Sequence, residues 1–490
     1  MPKASKCLYG LRKMKNRYDV VIVGSGPAGI FAALELSQVE GLDILLLEKG
    51  EDIDRRSCPV LDRDLVCPSC SPCDLVSGWG GAGAFSDGKL TLSAEVGGHL
   101  KEYLGEERTN QLIQYVDHIY EEFGATGQVY GLGPEVEDLQ RRASLAELRL
   151  VPMGVRHVGT ERCRLVLEAM RGNLASRVDV QTRTPATAIL AEEGEVKGVE
   201  TKAGQKIECR YLVVAPGREG ADWLAKEASR LKLTLSSNPI DIGLRVEVPA
   251  AVLEELTSVL YEPKLEFYSK TFDDRIRTFC ICPYGQVTIE STGGEDPVTT
   301  VNGHSYADRR TNNTNFALLV STSFTEPFDQ PIAYGRYIAR LANILSGGVI
   351  VQRLGDLLEG RRSTSARIQR SIVEPTLRSA TPGDLSFVLP YRYLTGILEM
   401  LNAMDKLAPG VASRHTLLYG VEVKFYSSRL KLSESLESEI GNLFAAGDGA
   451  GVTRGLVQAS ASGVVVAREI LKRLGKNPAK ATIPGAITER

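Results

Sequence analysis

The chain has 490 residues, 43% of them hydrophobic and 24% charged, which is an ordinary globular balance with enough apolar sequence for two to three domains. Its 58 Lys and Arg against 61 Asp and Glu leave a net charge of −3, which argues against the broad basic footprint of a nucleic-acid binder. No stretch of about 18 apolar residues occurs, so no membrane span is expected.

The opening residues Met1 to Arg17 are basic and lack the continuous apolar core of a secretory signal. Nine cysteines, an odd number, argue against a secreted disulfide framework and leave reduced thiols, a metal or redox chemistry. A cytoplasmic protein is the expectation. Tyr18 to Val23 is a continuous apolar run that suits a buried parallel strand; Pro27 to Gln38 reads as a helix and Asp43 to Glu48 as a second buried strand. Together they form a βαβ unit. Arg55 to Ser77, with four Cys and no clear period, reads as a loop insertion, and Gly78 to Gly88 as a small-residue loop. Lys101–Phe123 and Glu161–Ala175 have helical patterns. Val178 to Val214 alternates short apolar runs with turn signals, as a β-meander does. Between Ser236 and Leu436 strand-like runs (Ile242–Val248, Phe279–Ile289, Phe316–Thr322) mix with helix-like ones (Gly335–Leu345, Tyr393–Leu407). Asn442–Ala446 is a short strand and Leu456–Leu474 a strong helix, followed by a tail.

The sharpest motif is Gly24-Ser25-Gly26-Pro27-Ala28-Gly29, a G-x-G-x-x-G that follows a strand directly and opens a helix. In that context it is a dinucleotide site. Gly24 permits the tight turn, Gly26 lets the backbone approach a pyrophosphate and Gly29 lets helix and strand pack closely. The helix N-terminus stabilises phosphate charge, and Glu48, about twenty residues on and next to Lys49, is placed to accept from a ribose hydroxyl. No second G-x-G-x-x-G follows a strand, so a separate domain for NAD(P)H is not expected, although NAD(P)H can still deliver hydride without one.

Two further segments carry a resemblance. Tyr211–Gly217 is a short apolar strand ending in Ala-Pro-Gly, and Leu443–Gly449 ends in Gly447-Asp448-Gly449, followed by a helix that opens at Gly455 and contains Gln458 and Ala459. With the first motif, these segments resemble the glutathione-reductase-like FAD oxidoreductases with two dinucleotide-binding motifs, in which all three stretches hold one FAD. The resemblance implies that Asp448 binds the ribityl hydroxyls and that the helix after Gly455 points its N-terminus at the flavin pyrimidine edge. Gly78 to Leu90 (GWGGAGAFSDGKL), Thr278–Pro283 and Val301–Ser305 are similar to the family of uncharacterised FAD-dependent dehydrogenases, the NAD(FAD)-utilising dehydrogenases, over most of the chain. That likeness implies a flavin fold with an inserted substrate domain and no particular substrate. Gly80, Gly81 and Gly83 can present backbone N–H groups to pyrophosphate or flavin, which puts Gly81, Ala82 and Gly83 among the cofactor-binding candidates. Lys89 would stabilise a reduced flavin anion, or else simply be a solvated lysine.

Cys58, Cys67, Cys70 and Cys73 form C-x8-C-x2-C-x2-C. Three thiolates at that spacing can wrap one face of a 4Fe–4S cluster with Cys58 as the fourth ligand; zinc and a metal-free thiol loop are the alternatives. Cys280 and Cys282 alternate in a strand-like run and share a face, either as a redox or nucleophilic pair or as two small buried residues. His304, in a turn signature, is a candidate acid or base; His415, Arg429, Tyr391 and Arg392 are further candidates. The expected fold is α/β. A Rossmann-like FAD-binding domain of parallel sheet and β-meander (18–235 and 437–474) carries an inserted mixed α+β substrate domain (236–436), with a tail from 475 to 490. The expected function is hydride or electron transfer through non-covalent FAD to or from an unidentified substrate, with NAD(P)H as a possible diffusible donor. An iron–sulfur electron-transfer flavoprotein, a monooxygenase and a flavin redox sensor stay open beside it.

Overall fold

The computed structural model describes residues 14–58, 70–125, 127–236, 238–291, 297–305, 310–322 and 330–476. Within these, the chain divides into two compact units: one drawn from 14–125, 158–236 and 427–476, the other from 127–157 and 238–426. The segment 127–157, read from sequence with the first unit, belongs to the second because Arg149–Val151 extends its sheet, with Val151 opposite Lys264. The segment 427–436, read with the insertion, belongs to the first because Arg429–Leu430 pairs with Leu235–Ser236.

The first unit is built on a seven-stranded sheet. Its parallel part runs in the order Asp179–Gln181, Ile44–Leu47, Arg17–Val23, Lys206–Val214, Leu443–Ala445. Chain order therefore reverses between Arg17–Val23 and Lys206–Val214, which makes that gap the topological switch point where open α/β sheets bind ligands. Val20 to Val23 and Ile44 to Leu47 are buried on both faces, which is why they read as unbroken apolar runs. The meander is two antiparallel strands, Ala186–Glu192 and Glu195–Thr201, hung on the first half of Lys206–Val214. Helices Pro27–Leu36 and Leu456–Arg473, one from each end of the chain, meet at a glycine. A Cβ added to Gly463 would lie 2.0 Å from the Ala28 carbonyl oxygen, so only glycine permits this approach. The expected single helix 101–123 is two, Leu100–Leu104 and Glu106–Glu122, broken at Gly105 where φ is +78°.

The second unit is α+β. Its eight-stranded sheet runs Thr381–Pro382, Ile350–Arg353, Leu417–Lys424, Ile240–Pro249, Asn313–Thr322, Arg275–Cys282, Lys264–Tyr268, Arg149–Val151, antiparallel except at the first pair. Ile242, Leu244, Val246, Phe316 and Leu318 share one core with Ile397, Met400 and Leu401 of helix Tyr391–Leu407. The run Phe279–Ile289, expected as one strand, is two: Arg275–Cys282 turns into Gln286–Ser291, which forms a hairpin with Thr299–His304.

Candidate functional site

The switch point of the first unit is shaped by three glycines with different surroundings. Gly24 has φ +100°, and a Cβ there would meet the Ala215 carbonyl oxygen at 2.2 Å, so the turn lies directly against the end of the neighbouring strand. At Gly29 a Cβ would meet the Gly24 carbonyl oxygen at 1.9 Å, which holds the helix down on the turn. Gly26 is open: a Cβ there meets nothing within 4 Å. It is the N-cap of Pro27–Leu36, and no side chain caps that helix nor is any acidic residue in its first turn. Uncapped N–H groups and the helix dipole therefore face an open space, which fits a pyrophosphate. Gly217 borders the same turn region with φ +64° and no neighbour to a Cβ within 4 Å.

The loop after the Cys-rich segment is laid on this turn. Gly80 N–H donates to the Ser25 carbonyl (2.8 Å), and a Cβ on Gly81 would lie 3.2 Å from Gly26 Cα. Gly81–Phe85, which includes Ala82 and Gly83, forms a short 3₁₀ turn, and Gly83 packs close to Leu456 at the start of the C-terminal helix. Two buried charges tie these pieces together. Glu48 (6% exposed) accepts from Ser25 N (2.9 Å), Ser25 Oγ (2.7 Å), Gly50 N (2.8 Å) and Gly78 N (3.0 Å). Those four donors use the carboxylate's accepting capacity, so Glu48 first fastens the two glycine loops, and a ribose hydroxyl would have to share with or displace one of them.

Arg56 (2% exposed) belongs to no sequence motif. Its guanidinium donates to the Asp74 carbonyl from Nε (2.9 Å) and Nη2 (2.6 Å), and from Nη1 to the carbonyls of Trp79 (2.6 Å) and Gly81 (2.8 Å). Burial lowers its pKa to about 10, with Glu48 acting in the opposite direction. The indole of Trp79, fully buried, donates to the Leu167 carbonyl (2.9 Å). An arginine whose hydrogen-bond acceptors are all main-chain carbonyls leaves no mark in the sequence beyond being a cation at the edge of a glycine-rich loop.

At the other chain end Gly447 (φ +76°) comes within 3.1 Å of the Ala28 side chain, counted from its would-be Cβ. Asp448 follows on a single 3₁₀ turn, half-buried, accepting from Thr453 Oγ1 (2.7 Å) with Arg218 Nε 3.7 Å away. Burial raises its pKa, and Arg218, Thr453 and the Gly455 N–H offset part of that rise. Gly455 is the N-cap of the 18-residue helix Leu456–Arg473, again without a side-chain cap or an acid in the first turn. Ala459 is buried in that first turn. The Gln458 amide is engaged by its own chain, donating to the Val96 carbonyl (3.0 Å) and accepting from Leu100 N (3.4 Å), so it fixes the segment before Leu100 onto the helix. Lys49 pairs with Glu219, and burial lowers its pKa. Lys89 is drawn to Asp87 (3.0 Å) rather than standing alone. Arg429 is held by Glu102 (2.6 Å) and Tyr103 Oη (2.8 Å). In the Cys-rich segment Cys58 is buried, Cys73 half-buried and Cys70 exposed; Cys67 lies outside the described residues, among which no three acidic, His or Cys side chains are grouped to hold a metal.

In the second unit Cys280 and Cys282 lie with their Sγ atoms 3.8 Å apart. Beside them a fully buried ion pair joins Arg245 to Glu422 through Nε (2.8 Å) and Nη2 (2.9 Å), and Lys424 adds Nζ at 3.1 Å from Glu422 and 3.2 Å from Glu290. Burial disfavours the Arg245 charge, but the Glu422 carboxylate and the neighbouring thiols more than offset it and hold its pKa above the usual arginine value. His304 ends the hairpin strand opposite Gln286. Of the other candidates, His415 uses Nδ1 to accept from Ile372 N (3.4 Å), Arg392 pairs with Asp274 (2.6 Å) and Tyr391 is exposed. No helix among the described residues is long and apolar enough to cross a membrane.

Residues 19–56 match the family model described as FAD binding domain, and residues 239–425 match the one described as FAD-dependent protein, C-terminal domain-like. Across its length the chain is 27% identical to an uncharacterized protein of Clostridium beijerinckii, covering 95% of this chain and 82% of that one. A short stretch of 40 residues is 50% identical to the digeranylgeranylglycerophospholipid reductase of Methanosarcina mazei, 8% of this chain and 10% of that protein. Among solved structures, glycine oxidase from Geobacillus kaustophilus aligns at a TM-score of 0.38 and 14% identity, over 95% of this chain and 99% of that one. L-proline dehydrogenase from P. horikoshii aligns at 0.39 and 13%, over 95% of each chain. The match at 19–56 spans the open turn, the uncapped helix and the buried Glu48: the cofactor is FAD.

Proposed function

We propose that the chain is an FAD-dependent oxidoreductase that transfers hydride or electrons between non-covalently held FAD and a small-molecule substrate or redox partner. One observation carries this reading. At the switch point, Gly24 and Gly29 are sealed against backbone while Gly26 between them is open in front of an uncapped helix N-terminus. That is the geometry a dinucleotide pyrophosphate needs and an ordinary turn does not. The matches at 19–56 and 239–425 support the same reading.

The N–H groups of Ala28 and Gly29, at the uncapped start of the helix, would hold the pyrophosphate. Asp448, which accepts from Thr453 on one oxygen and has Arg218 near the other, would accept from ribityl hydroxyls. The uncapped helix beginning at Leu456 supplies partial positive charge to whatever anion lies before it. When bound, FAD supplies the two-electron chemistry, and the chain supplies orientation and electrostatics. No His or Cys lies in the three nucleotide motifs, in keeping with a non-covalent cofactor.

The test is an absorption spectrum of purified protein, followed by acid precipitation and anaerobic titration with dithionite, NADH and NADPH in turn. One FAD per chain, released into the acid supernatant and reducible by two electrons, is expected. A chain that takes up no flavin after reconstitution overturns the reading.

A further inference from the structure

Cys280 and Cys282 end the strand Arg275–Cys282, and the strand is not regular there. Phe279 stands opposite Ala317 and Cys282 opposite Asn315, so three steps on this strand match two on its neighbour. That is a bulge of one residue. Cys280 takes φ +46°, a left-handed value that costs an ordinary L residue about 1–2 kcal/mol. Two thiols at i and i+2 of a flat strand share a face but stand apart by two rises, roughly 6.6 Å. The bulge brings the two Sγ atoms to 3.8 Å, and the Cys282 thiol donates to the Cys280 carbonyl (3.4 Å).

The bulge is anchored by buried charge. Arg245 Nη1 donates both to the Cys280 carbonyl (3.1 Å) and to Asn315 Oδ1 (2.7 Å), while the rest of the guanidinium is held by Glu422. Gly303 of the hairpin closes over this group: a Cβ there would lie 2.1 Å from Arg245 Nη1 and 2.2 Å from Asn315 Oδ1. Asn315 is fully buried, and its Nδ2 has no hydrogen-bond partner. A stranded amide donor on the residue opposite Cys282 costs free energy unless an acceptor appears there. Two cysteines serving only as small apolar fillers would need neither the left-handed residue nor the charged anchor beneath it.

We propose that Cys280 and Cys282 are a reversible dithiol–disulfide couple that exchanges with low-molecular-weight disulfides. Cys280, the more exposed of the two, attacks first as thiolate. A bond forms between its sulfur and one sulfur of the small disulfide, the S–S bond of that disulfide breaks, and one small thiolate leaves. Cys282 then loses its proton to water and attacks Cys280 Sγ. The protein disulfide forms and the second small thiolate leaves. The dithiol gives up two electrons and two protons, and the small disulfide gains both as two thiols. The couple rests on residues 238–426 alone and does not depend on the flavin.

The experiment uses the full chain with its flavin, equilibrated in mixtures of oxidised and reduced glutathione, quenched in acid, alkylated and digested. The peptide holding both cysteines is expected to lose two hydrogens on oxidation and regain them with dithiothreitol. Cys282→Ser should stop at a glutathione adduct on Cys280, and Cys280→Ser should form no internal disulfide and react more slowly at Cys282. Circular dichroism and flavin content report whether either variant is folded. If Cys280→Ser alone folds, slower glutathione addition at Cys282 than oxidation of the native pair supports the proposal, and an equal rate overturns the order of attack. Two cysteines that alkylate independently in every mixture, or that bond only to other cysteines, overturn the proposal. Flavin absent while the disulfide forms counts against the flavin reading and leaves the couple standing.

Discussion

Gly463 and Ala28 are 435 residues apart in sequence, and the would-be Cβ of the first lies 2.0 Å from the carbonyl oxygen of the second. Because the close atom is backbone, no side-chain rotation relieves a methyl group there. Gly463→Ala should cost about 1–3 kcal/mol of stability, the range of an overpacked core. Urea denaturation should show a lowered midpoint with an unchanged slope.

The glycines of the first turn separate folding from cofactor binding. Gly24→Ala and Gly29→Ala drive a methyl into main-chain carbonyls and should lower the melting temperature of the flavin-free protein. Gly26→Ala meets nothing within 4 Å and should leave that melting temperature in place. It should still weaken FAD binding by about tenfold or more, a loss of ~1.4 kcal/mol, because the methyl fills space reserved for the pyrophosphate. Calorimetric titration of the apoprotein with FAD distinguishes the two effects. Equal damage from all three substitutions would sink the assignment of the open position.

Arg56→Met removes a buried cation and leaves the carbonyls of Asp74, Trp79 and Gly81 without their donor. Hydrogen bonds to a charged group are worth about 1.5–3 kcal/mol each, so a total loss near 3 kcal/mol is expected after relaxation. Limited proteolysis should begin cutting between 74 and 86 in this variant. Arg56→Lys should rescue only part of the loss, since an ammonium cannot reproduce the planar fork.

Asp448 has opposed roles with and without the flavin. Its folded-state pKa is raised by burial, so the native state holds a proton more tightly than the unfolded chain. The stability this group contributes is therefore present at acid pH and is lost as pH rises through the folded pKa. Asp448→Asn should make the flavin-free protein more stable at neutral pH and flatten that part of its stability–pH curve. The same variant should bind FAD about tenfold to a hundredfold more weakly, at ~1.4 kcal/mol per decade, through loss of a charged acceptor.

The Arg245–Glu422 pair is fully buried, so breaking it leaves a charge without its partner. Glu422→Gln should destabilise the second unit by about 3–5 kcal/mol. A double change with Arg245→Met should recover part of that. Denaturation of the two singles and the double gives the coupling directly.

Much of the first unit was legible because its constraints are local. An apolar run of four to six residues, a glycine spacing and a helix start lie within a few positions of one another, from Tyr18 to Leu36. Arg56 was not legible because its partners are carbonyls, which every residue has. The placement of 127–157 was hidden for another reason: Arg149–Val151 finds its neighbour strand more than a hundred residues away, at Lys264–Tyr268. Cys280 and Cys282 were visible as a pair, but the bulge that brings their sulfurs together depends on the register against Asn313–Thr322.

The parallel sheet of the first unit has a temporal consequence. Strand Lys206–Val214 waits for Leu443–Ala445, which leaves the ribosome roughly 230 residues later, on the order of 10–50 s at ~5–20 residues per second. During that interval one edge of Val213 and its neighbours is unpaired, while the whole of 238–426 is synthesised. Asp448 and the helix at Leu456 are made later still. A nascent chain can thus complete its second unit while the first is unfinished, and the cofactor site is completed only after the second unit has been made.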